Sequence, residues 1–202
     1  HMSYAQVREK VRLLIEGDEV GTPFSTDTRD LRISMAESRV YRKLRSDTMY
    51  VASAALNAVS NVLALPSDLL ELDRVLIGGK PVEVTDLWRI DQLAYNGASA
   101  GDTVYCARSG DNLVFWPAID DTTDVYLYYY GRPAALSLGE NSTYTRYPEV
   151  FLFGSVAEAS PFLGEDSRAP MWEAKFAQAM QDAMTNERWR TYSGSQLRVR
   201  NR

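Results

Sequence analysis

Between Val62 and Pro133 the sequence breaks into short β-branched and aromatic runs separated by glycine, proline and asparagine, whereas on either side apolar residues recur at helical spacing. That change of period is the strongest constraint on the fold, because a run alternating every second residue cannot present one continuous helical face. Leu72 to Ile77 and Pro81 to Val84 flank Gly78-Gly79 and predict a hairpin. Thr103 to Ala107 and Leu113 to Trp116 flank a turn from Arg108 to Asn112, where Gly110 supplies the positive φ that a tight hairpin needs. Val125 to Tyr130 predicts a further strand, closed by Gly131-Arg132-Pro133. Its alternation sets Tyr126, Tyr128 and Tyr130 on one face and Val125, Leu127 and Tyr129 on the other. Val62 to Leu65, entered through a Ser60-Asn61 turn, and the small apolar stretch from Thr48 to Ala58, read as strand rather than helix, bring the expectation to an antiparallel sheet of about five or six strands. Thr85 and Asp86 are placed to cap a short helix carrying Leu87, Ile90 and Leu93.

The flanks carry the 3.6-residue period. Tyr4, Val7, Val11, Leu14 and Ile15 share one face, with Arg8, Glu9, Lys10 and Arg12 mostly elsewhere. Gly17 stops that helix, and Ser25, Thr26 and Asp27 offer N-caps for a second running to about Arg45. There Ile33, Ala36, Val40 and Leu44 share a face, which makes an αα-hairpin. Beyond the strands, Pro148 opens a helix through Leu163 that is apolar on nearly every side and so belongs in a core. A last helix, about Ala169 to Arg190, aligns Trp172, Phe176, Ala179, Met180, Ala183 and Met184. The expected fold is α+β: a helical bundle of about four helices with an inserted antiparallel β-domain and a flexible C-terminal tail. Its expected parts are an N-terminal helical hairpin at 3–46, a β insertion at 47–135, helices completing the helical body at 136–191 and a basic tail at 192–202.

Composition removes several functions. The only histidine of the 202 residues is His1, and His1-Met2 reads as the remnant of an expression tag. Serine–histidine and cysteine–histidine nucleophiles, histidine metal sites and histidine acid–base chemistry are therefore excluded. The single Cys106 cannot form an internal disulfide, and no apolar run reaches the ~20 residues that span a bilayer. Charges interrupt Ser3 to Leu14 before any signal-peptide core forms, so a cytoplasmic product is expected. From Arg188 onward there are five arginines and no acid, leaving 17 basic against 27 acidic residues in the rest. An acidic body does not suit a duplex-DNA-binding domain. The basic end suits either docking on something acidic or a solubilising tail, and both readings stand.

The remaining chemistry is sparse. Asp120-Asp121-Thr122-Thr123-Asp124 offers oxygen ligands for calcium but lacks the glycine and distant glutamate of an EF-hand, and reads as a solvated turn. Cys106 reads as a packed thiol. Glu83 with Asp86, and Glu165 with Asp166, fall in turns and helix starts rather than as catalytic pairs, while Glu158 on the apolar helix reads as a buried acid paired with an arginine. Tyr126, Tyr128 and Tyr130 could stack on sugars or single-stranded nucleic acid, although tyrosines in strands more often pack or form interfaces. No cofactor or metal is expected.

Three ordered segments carry a family resemblance. The first is Leu65-Pro66-Ser67-Asp68-Leu69-Leu70-Glu71-Leu72, an LPxD-hydrophobic lead-in followed by the Gly78-Gly79 hairpin. The second is Leu113 to Pro117, then Val125 to Pro133 with Leu136-Ser137, matching a strand, a proline and YY-x-x-P-x-x-L-S. The third is Tyr147-Pro148-Glu149 leading to Ala157-Glu158-Ala159, Phe162-Leu163, Asp166-Ser167-Arg168 and Trp172, where the family pattern has aspartate after the proline. Taken together, residues 27–190 resemble the head–tail adaptor (connector) proteins of tailed bacteriophages; residues 47–60 carry no recognisable signature.

That resemblance implies a structural virion protein and no enzyme. It implies a ring, typically twelve-fold, that docks beneath the portal, extends the DNA channel without sequence-specific binding and offers an attachment surface to tail or nozzle proteins. A free protomer could be a monomer, the ring forming on the portal. The resemblance gives structural roles to Leu65, Pro66, Asp68, Pro117, Tyr129, Tyr130, Pro133, Tyr147, Pro148, Glu158 and Trp172. It places portal docking in the C-terminal segment, at Leu197, Arg198, Val199, Arg200 and Arg202. It places the protein in the virion at the head–tail junction, after synthesis in the bacterial cytoplasm. The reading kept beside it is a carbohydrate-binding or glycan-hydrolysing module of a phage tail, resting on the tyrosine strand and spare carboxylates.

Overall fold

In the computed structural model, residues 3–16, 26–97, 103–163 and 167–192 are described. They form two compact units, one from residues 1–49 and 133–202 and the other from residues 50–132. The first is helical: α1 (Tyr4–Glu16), α2 (Thr26–Lys43), α4 (Ser142–Arg146), α5 (Pro148–Ala159) and α6 (Ala169–Tyr192), with 3₁₀ turns at Asp47–Met49, Leu136–Leu138 and Ser160–Leu163. With α3 (Leu87–Tyr95) in the second unit, the described residues hold six α-helices; the short α4 is the one that the apolar spacing did not mark, and it makes five rather than about four in the helical unit.

Helix α5 is the centre of the helical unit, packed by α1, α2 and α6. Its apolar residues occur all round, so every face must be covered, and eight of its twelve residues are buried. Tyr41 from α2 and Tyr144 from α4 meet Phe151 edge-on, with ring centroids 5.8 and 5.6 Å away. Each such fully buried ring contributes about 2 kcal/mol through removal of apolar surface from water. The close approach of α2 and α6 to α5 depends on Gly154, where an added Cβ would lie 3.0 Å from the Phe176 ring and 3.2 Å from the Ala36 Cβ. Gly154→Leu is therefore expected to overpack this junction and destabilise the chain by about 3 kcal/mol, read in denaturant unfolding. An unchanged midpoint would contradict the packing described.

The second unit is an eight-stranded curled sheet: β1 (Tyr50–Ala52), β2 (Leu56–Asn57), β3 (Val62–Ala64), β4 (Leu69–Ile77), β5 (Lys80–Thr85), β6 (Tyr105–Ser109), β7 (Asn112–Trp116) and β8 (Asp124–Gly131). Its order is β1-β8-β4-β5-β6-β7-β3, and β2 also pairs with β8. The strand reading of 48–58 holds in part, as β1 and β2 after a 3₁₀ turn. Two expectations are corrected. The described residues of this unit hold eight strands rather than five or six; the run at 48–58, for one, is two short strands, β1 and β2, too brief for alternation to separate. The insertion is also not wholly antiparallel: β5 and β6 pair in parallel, Val84 opposite Cys106. The physical reason is α3, which carries the chain from the end of one strand back to the start of its neighbour, as parallel pairing requires. Asp86 occupies the N-cap position of α3, but its side chain makes no capping hydrogen bond.

The core of this unit is built by alternation. Val125, Leu127 and Tyr129 point inward beside Val75, Leu113, Phe115 and Cys106, while Tyr126, Tyr128 and Tyr130 lie on the other face. Between β2 and β3 the chain reverses through Ser60 and Asn61, both at positive φ (50° and 66°). Asn61 tolerates that conformation and uses its amide twice, donating to the Phe115 carbonyl at 2.8 Å and accepting from the Ile119 N–H at 3.1 Å. Asn61→Ala should cost about 2 kcal/mol, since it strands two backbone groups and keeps the left-handed backbone. Thermal unfolding with Asn61→Gly alongside separates the two contributions, the glycine variant losing only the hydrogen bonds.

Candidate assembly site

The lead-in Leu65-Pro66-Ser67-Asp68 is a latch on the sheet. The Leu65 N–H donates to the Asp111 carbonyl at 2.9 Å, and the Pro66 carbonyl accepts from the Leu69 N–H at 3.1 Å. Asp68 works at both ends: its carbonyl accepts from the Arg132 N–H at 2.7 Å, and its carboxylate accepts from the Tyr129 hydroxyl at 3.2 Å. Burial, reinforced by the nearby Asp68 charge, raises the Tyr129 hydroxyl, so it stays a protonated donor. A Cβ on Gly131 would come 2.8 Å from the Asp68 carboxylate and 3.2 Å from Val51, which explains a glycine there. Four sequence-selected residues, Leu65, Pro66, Asp68 and Tyr129, are thus brought together. Pro117 follows a cis peptide bond after Trp116 and lies in the segment that Asn61 holds.

The outer sheet face carries an aromatic array. Tyr50 of β1 stacks edge-on against Tyr130 at 5.3 Å and lies 6.4 Å from Tyr128. The Arg74 guanidinium sits 4.4 Å over the Tyr128 ring, and the Tyr50 hydroxyl donates to Asp73 at 2.6 Å. These rings are partly exposed, and stacking and hydrogen bonding are the chemistry they offer.

In the helical unit the principal polar feature is Glu187, which the sequence reading did not select. It is 5% exposed and accepts from the Tyr147 hydroxyl at 2.6 Å, the Ser46 hydroxyl at 3.0 Å, the Asp47 N–H at 3.0 Å and Arg146 at 3.1 Å. Arg146 and Arg190 both pair with Asp47 as well. This junction ties the chain just before the sheet, the start of α5 and the end of α6 into one polar knot. One signal could have found it: the apolar stripe Trp172, Phe176, Ala179, Met180 and Ala183 continues by helical spacing to position 187. Met184, assigned to that stripe, is 36% exposed.

Tyr147 and Pro148 stand at this knot, Pro148 as the first residue of α5. Glu158 is the arginine-paired acid expected, 2.8 Å from Arg39, which also bonds Glu173 and lies 4.5 Å over the Phe176 ring. Trp172 is buried and stacks on Phe153 at 6.5 Å, with Lys175 at 5.0 Å. The tail residues Leu197, Arg198, Val199, Arg200 and Arg202 lie outside the described residues, as do Glu165 and Asp166.

The other candidates have local structural uses. Burial pushes the Cys106 thiol up to about 12, leaving it protonated and unreactive at neutral pH. Asp121 accepts from the Ser60 N–H at 2.9 Å and Asp124 from the Asn57 amide at 3.3 Å, as residues of a turn do. Among the described residues no group of three or more Cys, Asp and Glu side chains is placed to hold a metal, and no described helix is long and apolar enough to cross a membrane.

The charge is unevenly shared between the two units. Residues 50–132 carry 11 acidic and 5 basic residues, whereas the helical unit holds 17 basic and 16 acidic. The negative charge belongs to the β unit.

Two comparisons bear on this arrangement. Residues 2–200 match the family model described as SU10 adaptor protein. No curated protein matches the chain.

Proposed function

Because the chain belongs to the SU10 adaptor protein family, and is thereby a structural adaptor at the head–tail junction of a phage, we propose that it docks as a ring beneath the portal, extends the DNA channel and presents the surface on which the tail assembles. The observation that carries this reading is the use made of the motif residues. Asp68, Tyr129, Tyr147, Pro148, Glu158 and Trp172 all serve packing, latching or ion pairing, as in a protein whose function lies in its surfaces. The acidic β unit suits a position near translocating DNA, since like charge discourages phosphate contacts. The reading is structural, with no catalytic step. Co-sedimentation tests it: the chain is expected to pellet with portal-bearing heads and to stay in the supernatant with heads lacking the portal. Equal pelleting with both would oppose portal docking.

Glycan binding, the second reading, has one observation in its favour, the partly exposed Tyr50, Tyr128 and Tyr130 rings, with Arg74 over the Tyr128 ring. A glycan titration followed by NMR decides it. Shifts confined to that face and lost in Tyr128→Ala/Tyr130→Ala would support glycan binding, and no shifts would dismiss it.

A further inference from the structure

Two surfaces of this chain are unexplained by its own packing, and they are complementary. The first is the outer face of α3. Ile90 anchors that helix to the sheet, while Trp88 and Tyr95, seven residues apart and so on one face, are 68% and 91% exposed. Asp91 on α3, Asp86 at its N-cap and Glu83 on the preceding strand are exposed and without a cationic partner among the described residues; Arg89 is the one base on α3. An exposed aromatic patch of this kind, with acids outnumbering bases beside it in the chain, marks an interaction site.

The second is a groove along the last turns of α2 and the facing side of α6. It consists of two adjoining concavities of about 240 and 250 Å³ that share Lys43. Phe176 and Met184 give it apolar walls, and Arg42, Lys43 and Arg188 give it a cationic rim. Those three bases are exposed and have no carboxylate partner among the described residues; Arg42 donates only to the Ser38 carbonyl, at 3.1 Å.

We propose that the acidic, aromatic α3 face of one copy docks into the basic α2–α6 groove of a second copy. Charge complementarity selects the occupant: the β unit that bears α3 holds the chain's acidic excess, and the groove carries Arg42, Lys43 and Arg188 without carboxylate partners among the described residues. The two surfaces differ, so the contact is heterologous and each copy keeps one free surface of each kind, the condition for a ring. The proposal rests on the ring reading above and names the surfaces that would build it.

Reciprocal charge exchange tests it. One variant carries Arg42→Glu, Lys43→Glu and Arg188→Glu; the other carries Glu83→Lys, Asp86→Lys and Asp91→Lys. All six positions are exposed, and circular dichroism checks that both variants fold. Sedimentation velocity, with and without portal-bearing heads, is expected to show oligomers for the wild type, monomers for each variant alone and oligomers again for the equimolar mixture, where opposite charges face each other at every contact. Wild-type oligomers matched by either variant alone, or a mixture that stays monomeric, would overturn the interface and leave the ring reading standing. A wild type that never oligomerises, even on heads, would overturn both.

Discussion

Truncation after Tyr192 is expected to reduce capture of the chain by portal protein to background while leaving its unfolding midpoint unchanged. Helix α6 runs through Tyr192, so the cut leaves every described element whole. The segment removed holds Arg198, Arg200 and Arg202 and no acid. In an extended conformation, alternation puts Leu197 and Val199 on one side and Arg198 and Arg200 on the other. Such a segment can add to a strand edge through its backbone and fix its register through its cations. Charge reversal at the three arginines should abolish capture as truncation does, and capture by the full chain should weaken with salt. A pull-down with purified portal measures all three, and undiminished capture of the truncated chain would refute the assignment of docking to the tail.

Glu187→Ala is expected to be the most destabilising single change, by about 3–5 kcal/mol, the cost of removing one member of a buried charged network. Four donors converge on this carboxylate, and an alanine leaves the Tyr147 hydroxyl and the Asp47 N–H without their acceptor. For a chain of this length the midpoint should fall by on the order of 10 °C. The pH dependence has a definite sign. Burial raises the Glu187 carboxyl, but the Tyr147 hydroxyl, the Asp47 N–H, the Ser46 hydroxyl and Arg146 outweigh it and hold the group below its ordinary value. A depressed carboxyl contributes stability that is complete above the unfolded value, about 4.3, and is lost as pH falls through the folded value. The wild-type midpoint should therefore drop on acidification below about pH 4, and Glu187→Gln, with no group to titrate there, should drop less. Parallel acid profiles for the two would contradict the role given to Glu187.

The parts of the fold that were legible are those with a long, regular period. The inward face Val125, Leu127 and Tyr129 and the buried helix α5 follow directly from apolar spacing. Strand pairing direction was less legible because alternation is blind to it. Yet β5, α3 and β6 were each foreseen, and a helix between two neighbouring strands already implies a parallel return. Glu187 escaped notice for a different reason. A carboxylate on an apolar stripe reads as a solvated edge until its partners are known, and those come from Ser46, Asp47, Arg146 and Tyr147, some 40 to 140 residues away. The net charge of −5 is not spread evenly along the chain. Its acidity is a property of the inserted sheet, and the helical unit is close to balance.

The central claim is tested most directly by electron cryomicroscopy of portal-bearing heads incubated with the chain. The account predicts a ring of added density coaxial with the portal, into which both units fit. Heads without added density, or the chain bound elsewhere on the capsid, would contradict it.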